Sequence, residues 1–240
     1  VQKAPVIEVQ SRICSVPSQR QSVKTQVFAS ILAHLNGVYN MAYGASGGAG
    51  LQPLNSGNGV TFNGVTNQYN LPATGGQTIF QNDPVALSTA GVIIRGTAGS
   101  AFTGVFQGCK YQDTSGVWQF TNFFNGATAF LTGNVPVAMV IDDPMTQYTI
   151  TEGDGTGASG TPLTAAAPGL NANFLYTAGS TRTGISAVTL NNSTASSASG
   201  LNMRVISLDP RVGNAVGAFA NWIVQINNGQ RSAGTPGHVI

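Results

Sequence analysis

Carboxylates and imidazoles carry most acid–base and metal chemistry, and this chain has few of them. The densest acidic cluster is Asp142-Asp143-Pro144, followed by Glu152-Gly153-Asp154-Gly155. Adjacent carboxylates at a strand end can hold a divalent cation through oxygen ligands. Asp-Asp-Pro is also turn chemistry, in which the Asp side chains accept from nearby backbone N–H groups, and this is the preferred reading here. Asp83-Pro84 reads the same way. The Glu152 run lacks the regular Asp/Asn positions and the closing Glu of a calcium loop.

The two histidines are His34, on a candidate helix, and His238, the third residue from the end of the chain. A general base needs to converge with its partners in a pocket, and neither histidine is a good candidate for that. No G-x-S-x-G elbow accompanies them. The Gly-rich run 44–50 follows no strand and leads into no Lys-Ser/Thr, so phosphate cradling is not expected. Lys110-Tyr111 is a single basic–aromatic pair, too little for a nucleic-acid stacking platform. Cys14 and Cys109 are far apart, with no CxxC or Cys/His ligand spacing, and read as reduced thiols in a protein folded in the cytoplasm. The expectation is therefore a non-enzyme, with no catalytic, cofactor-binding or metal-binding residues.

Composition points the same way. Charged residues make up 8% of the chain, where about a quarter is usual. In their place stand 31 glycines and many Thr, Ser, Asn and Ala residues. Residues 1–40 hold Lys3, Arg12, Arg20 and Lys24 against Glu8, while residues 41–240 hold six basic residues against seven acidic ones. The body is thus no polyanion binder, because counterion release needs clustered Lys and Arg. Such a surface suits a chain packed against other subunits, or a secreted domain kept soluble by its hydroxyls and amides. No run approaches the roughly 20 apolar residues of a membrane helix.

The elements that must position these residues are mainly strands. One segment reads as helix: Ser22 as a cap, then Val23, Val27, Phe28, Ile31, Leu32 and Leu35 at helical spacing, and Gly37 as a stop. Residues 1–40 are expected to form a basic amphipathic extension, absent from the mature protein if translation begins at Met41. Intact mass or N-terminal sequencing tests that. Residues 41–66 read as an extended Gly/Asn-rich arm, and 67–240 as a single β-barrel or β-sandwich of jelly-roll or OB-like type.

Short apolar runs between Gly, Pro and Asn give the strands. They are 68–71, 78–80, 85–87, 92–95, 102–106, 109–112, 117–122, 135–141, 148–151, 185–190, 201–208 and 220–226. Trp118 and Phe120 alternate with Val117, Gln119 and Thr121, and Asp113-Thr114-Ser115-Gly116 reads as the hairpin turn before them. Ala220, Trp222, Val224 and Ile226 line one face of the last strand. Both tryptophans read as core. The strand 135–141 is apolar on both faces and reads as central, with Pro136 at its start or at a bulge. Residues 152–169 and 191–200 read as long exposed loops.

An ordered set of pieces runs through the middle of the chain. It comprises Gln77-Thr78-Ile79-Phe80, Asp83-Pro84-Val85, Gly104-Val105-Phe106-Gln107-Gly108 and Tyr111-Gln112-Asp113. Gly116 with Gln119-Phe120 follows, then Asp142-Asp143-Pro144 and Tyr148-Thr149-Ile150. Gly184-Ile185-Ser186, Leu201–Ile206, Leu208-Asp209-Pro210 and Trp222–Asn227 come later. Over about residues 51–230 this resembles a family of decoration, or cement, proteins of tailed-bacteriophage heads. Asn82 stands where that family often has Gly before Asp-Pro, and residues 1–40 have no counterpart.

The resemblance implies a β-barrel or sandwich on the outside of the capsid that clamps neighbouring major capsid subunits. It implies a homo-oligomer (dimer or trimer), no nucleic acid or membrane partner, and no catalytic residues. Its place would be the virion exterior, after a period in the host cytoplasm during assembly. The Asp-Pro and Gly pieces would determine the fold. The alternatives are a tail, fibre or host-adsorption domain, a polysaccharide-cleaving enzyme, and a generic adhesive β domain.

Overall fold

The computed structural model describes residues 48–57, 59–73, 75–154 and 160–231. The expected helix, Cys14, His34 and His238 lie outside them. What is described is all-β: thirteen strands, with a single 3-10 turn at Asn192–Thr194.

One sheet contains β1 (Gln52–Ser56), β8 (Thr146–Gly153), β9 (Asn171–Ala172), β10 (Phe174–Leu175), β11 (Thr189–Asn191), β12 (Met203–Leu208) and β13 (Asn221–Ile226). Its order is β10-β11-β8-β13-β12-β9, with β1 also on β8. The other contains β2 (Asn67–Asn70), β3 (Pro84–Leu87), β4 (Ile93–Arg95), β5 (Gly104–Gln112), β6 (Trp118–Thr121) and β7 (Val137–Ile141). Its order is β2-β7-β5-β3-β4, with β6 also on β5. The β11–β8 contact is parallel and every other strand pair is antiparallel.

Period-two alternation builds the core. On β13, Trp222, Val224 and Ile226 point inward as the pattern predicts, joined by Tyr148 and Ile150 of β8 and Met203 and Val205 of β12. Ala86, Val105 and Ile141 of the second sheet close this core from the opposite side. Phe102 and Phe174 add an edge-to-face contact, centroids 5.7 Å apart. The reverse face of the second sheet carries Val85, Ile93, Phe106, Cys109, Ala138 and Val140, covered by Leu71, Ile79 and Phe124 from the connections. That sheet is therefore apolar on both faces, which is why β7 reads as a two-sided strand and lies between β2 and β5. Pro136 directly precedes β7, where its missing N–H costs nothing.

Several segments depart from expectation for physical reasons. Residues 104–106 of the expected run 102–106 and the run 109–112 are parts of one strand, β5, joined through a bulge between Phe106 and Gly108. The extra residue keeps Phe106, Cys109 and Tyr111 on one face, a phase that a straight strand would lose. Residues 52–56, within the expected arm, form β1 on β8, and Leu51 is fully buried. The stretch after β8 is not wholly exposed, because Leu163 and Ala167 are anchored in the core. Of the expected strand 185–190, only its end pairs as β11. Residues 78–80 make one isolated bridge, Ile79 to Phe124.

The turn Phe80–Asp83 is a junction. Asp83 is fully buried and accepts from Phe80 N–H at 2.9 Å. Asn82 receives a bond from Leu51 N–H and donates its own N–H to Phe106 O. Asn82 has φ of 72°, a left-handed backbone that glycine adopts freely and Asn tolerates better than other side chains. At Gly104 the neighbouring strand comes so close that a Cβ would lie 2.1 Å from Ile141 O, so no larger residue fits.

Candidate interaction surface

The strand β6 and its hairpin place the most unusual surface. Asp113 Oδ1 accepts from Ser115 N–H (2.9 Å) and Val117 N–H (3.0 Å), and Gly116 takes φ of 81°. This is the turn expected from the sequence. Asp113 Oδ2 also accepts from Gln119 Nε2, the leading reason its carboxyl is held below the ordinary range. The turn fixes the register: Gln112 opposite Trp118, Tyr111 opposite Gln119, Lys110 opposite Phe120, and Cys109 opposite Thr121.

That register puts Trp118 and Phe120 on the face of the second sheet that carries Val105 and Ile141 farther along, but beyond the end of the covering sheet. Trp118 is therefore 52% exposed and Phe120 70% exposed. Reading Trp118 as core is corrected here: alternation shows that one face of a strand is apolar, not that another layer reaches it. Val135 is exposed nearby on that face, where Val137 and Met139 of β7 are half-buried, whereas the exposed Val117 lies on the opposite face. Single exposed apolar residues are ordinary, whereas a contiguous group with two aromatic rings marks an interaction surface. Lys110 and Gln112 are its polar neighbours on β5. Lys110 and Tyr111 point to opposite faces, and Tyr111 packs on Phe130 at 5.0 Å.

The acidic residues serve the scaffold. Asp142 is a cross-strand hub. It accepts from Asn67 Nδ2 at 2.8 and 3.0 Å, from Tyr69 OH at 2.5 Å, and from the Arg231 guanidinium. Asp143 does the turn work, accepting from Met145 N–H at 2.9 Å and from Thr146 Oγ1. A groove of about 410 Å³ runs beside the pair, lined by Ser56, Thr61, Phe62 and Asn63 among others. Asp142→Ala strands the Asn67, Tyr69 and Arg231 donors at once and is expected to cost about 2–3 kcal/mol in urea unfolding. A loss below about 0.5 kcal/mol would show that the hub carries no net stability.

Asp209 is similarly occupied, by Thr149 Oγ1 (2.7 Å) and by Arg211 Nε (2.7 Å). Asn214 bonds the Asp209 and Asn221 backbones and ties together the β12–β13 connection. Glu152 is fully buried. Its Oε2 accepts from Leu163 N–H and Trp222 Nε1, while Oε1 has no hydrogen-bond partner among the described residues. Desolvation pushes its carboxyl up to about 7, and that of Asp83 to about 6.

Cys109 is a buried free thiol between Thr121 and Phe123 O. Among the described residues, no group of three or more His, Cys, Asp or Glu is arranged to hold a metal ion. A second, open groove of about 860 Å³ is lined only by neutral residues of segments 73–78 and 125–134.

The missed surface residues had one readable signal. Polar Lys110 and Gln112 alternate on β5 just where its other face stays apolar, which marks where the covering layer ends. Comparisons with protein-family models, with curated proteins and with solved structures find no match for this chain.

Proposed function

We propose that this chain is a non-enzymatic virion structural protein that binds the outer surface of a tailed-phage capsid and cements neighbouring major capsid subunits. The ordered motif set carries the reading. One observation strengthens it: Asn82, where the resembled family has Gly, occupies a left-handed backbone with φ of 72°. The departure from the pattern thus falls at a position whose conformation accounts for glycine elsewhere.

The composition fits the role. A body with six basic and seven acidic residues docks with little charge desolvation. Weak contacts repeated over a closed lattice add by avidity. The acidic groups best suited to chemistry, Asp83, Asp142 and Asp209, are engaged in holding the fold.

The test is co-sedimentation of purified protein with heads assembled without it. Saturable binding in a fixed ratio to the major capsid protein, and greater resistance of loaded heads to heat, are expected. Absence of binding would refute the proposal.

The second reading, a tail or host-adsorption domain, is favoured by one feature: the exposed Trp118–Phe120 pair is a surface on which sugar rings stack. Virions lacking the protein that keep stable heads but lose adsorption would select it.

A further inference from the structure

We propose that β6 is the seam of a homodimer, in which the β6 strands of two copies pair antiparallel about a two-fold axis at Gln119. Among the described residues β6 pairs only with β5, so its other edge is open. Open edges of stable monomers are usually protected by Lys, Pro, a bulge or a covering segment. Residues 117–122 contain no charge and no proline, and no bulge interrupts the β5–β6 register.

The hydrogen-bond phase shows what this edge offers. Asp113 N–H donates to Val117 O and closes the hairpin. Antiparallel pairs alternate between bonded and non-bonded, so Tyr111–Gln119 and Cys109–Thr121 exchange bonds and Gln112–Trp118 and Lys110–Phe120 do not. The N–H and C=O groups of Trp118 and Phe120 therefore point away from β5, into the open edge.

An axis at Gln119 makes this edge self-complementary. Each Trp118 then lies opposite Phe120 of the partner subunit, forming two bonded pairs and a cluster of four aromatic rings on one face. Such cross-strand aromatic pairs are among the more stabilising ones. The row across the seam reads Lys110, Phe120, the partner's Trp118, the partner's Gln112, so no row holds two charges. The two Lys110 side chains stand at least three strand spacings apart, ~14 Å, beyond the screening length of about 8 Å at physiological salt.

Area favours a second copy as well. The exposed parts of Trp118, Phe120 and Val135, which share one face, amount to about 300 Å² of apolar surface. That is over a third of the roughly 800 Å² per partner in a stable interface, with the polar strand edge making up part of the rest.

The experiment is sedimentation equilibrium of the full chain, without capsids, at tens of micromolar. The wild type is expected as a dimer and Phe120→Lys as a monomer with an unchanged far-ultraviolet spectrum. Gln119→Cys keeps the surface and places two thiols directly opposite at a non-bonded pair, within disulfide reach. Under mild oxidation it is expected to give a covalent dimer well above the wild-type background from Cys14 and Cys109. If Phe120→Lys fails to fold, the Gln119→Cys result decides alone.

A monomeric wild type overturns the proposal, as does a dimer that survives Phe120→Lys while Gln119→Cys stays uncrosslinked. A monomer that needs Phe120 to bind heads would give this face to the capsid and likewise overturn it. Because the assay contains no capsid, failure of the dimer and failure of capsid binding are separate results.

Discussion

Trp222→Ala is expected to lower the unfolding free energy by about 4 kcal/mol, with an unchanged denaturant slope. Trp222 is fully buried at the middle of the larger core, and β13 holds it against Ile150 of β8 on one side and Leu208 of β12 on the other. Alanine leaves a cavity that two flanking strands, each fixed by its own ladder, cannot collapse to fill. It also removes the indole N–H that bonds Glu152 Oε2 at 3.1 Å. Since Oε1 already lacks a partner among the described residues, the buried carboxyl would keep only backbone donors, Leu163 N–H first among them. Domains of this kind have about 5–15 kcal/mol in all, so the variant should be marginal at 37 °C.

Trp222→Phe restores most of the volume without the N–H and is expected to lose about 1–3 kcal/mol. Trp118→Ala, at the exposed tryptophan, should cost under about 0.5 kcal/mol in the dissociated monomer. Equal losses at the two tryptophans would contradict the burial described here.

Stability is expected to fall as pH rises from 5 to 8. Asp83 and Glu152 are both fully buried, and desolvation raises their carboxyls to about 6 and about 7. Opposing bonds from Phe80 N–H and Ser186, and from Leu163 N–H and Trp222, reduce these shifts without cancelling them. Arg95 is the charge that acts on Asp83. Between about pH 4 and 7 the folded protein holds protons that the unfolded chain has released. Its stability therefore declines through that window and levels off above it.

Each group contributes about 2–3 kcal/mol to the decline, enough together for a Tm about 10 °C lower at pH 8 than at pH 5. Asp113 and Asp209, whose carboxyls are held low, act in the opposite sense. Their contribution is present above the unfolded range and is lost as pH falls below about 4, so maximum stability should lie near pH 4. The double variant Asp83→Asn, Glu152→Gln should flatten the profile. An equal or higher Tm at pH 8 in the wild type would contradict the assignment.

How much of this was legible in the sequence depended on where the deciding forces lie. The inward face of β13 was legible because Ala220, Trp222, Val224 and Ile226 alternate with polar residues, and burial follows that period. The β6 hairpin was legible because Asp113 and Gly116 are local turn chemistry. The exposure of Trp118 was not, since it depends on how far a different sheet extends over β5. The strands β1, β9 and β10 were missed because Gln52–Ser56 is mostly polar and the other two are two residues long. Their pairing is decided by the neighbours they meet. Asp143 does the turn work expected of the Asp-Asp-Pro run, but Asp142 does not: its partners Asn67, Tyr69 and Arg231 come from distant parts of the chain, so its role as a hub had no local signature.

The bulge in β5 gives the molecule a built-in clock. By keeping Cys109 on the face covered by Leu71, Ile79 and Phe124, it places a thiol beside β6, between the Thr121 hydroxyl and Phe123 O. Burial also holds the thiol protonated and unreactive. An alkylating reagent can reach it only while the covering segment around Phe123 and Phe124 is lifted from the sheet, so the rate of adduct formation at Cys109, read by peptide mass, times that opening. Any partner that holds that segment down would slow the clock, whichever molecule it is.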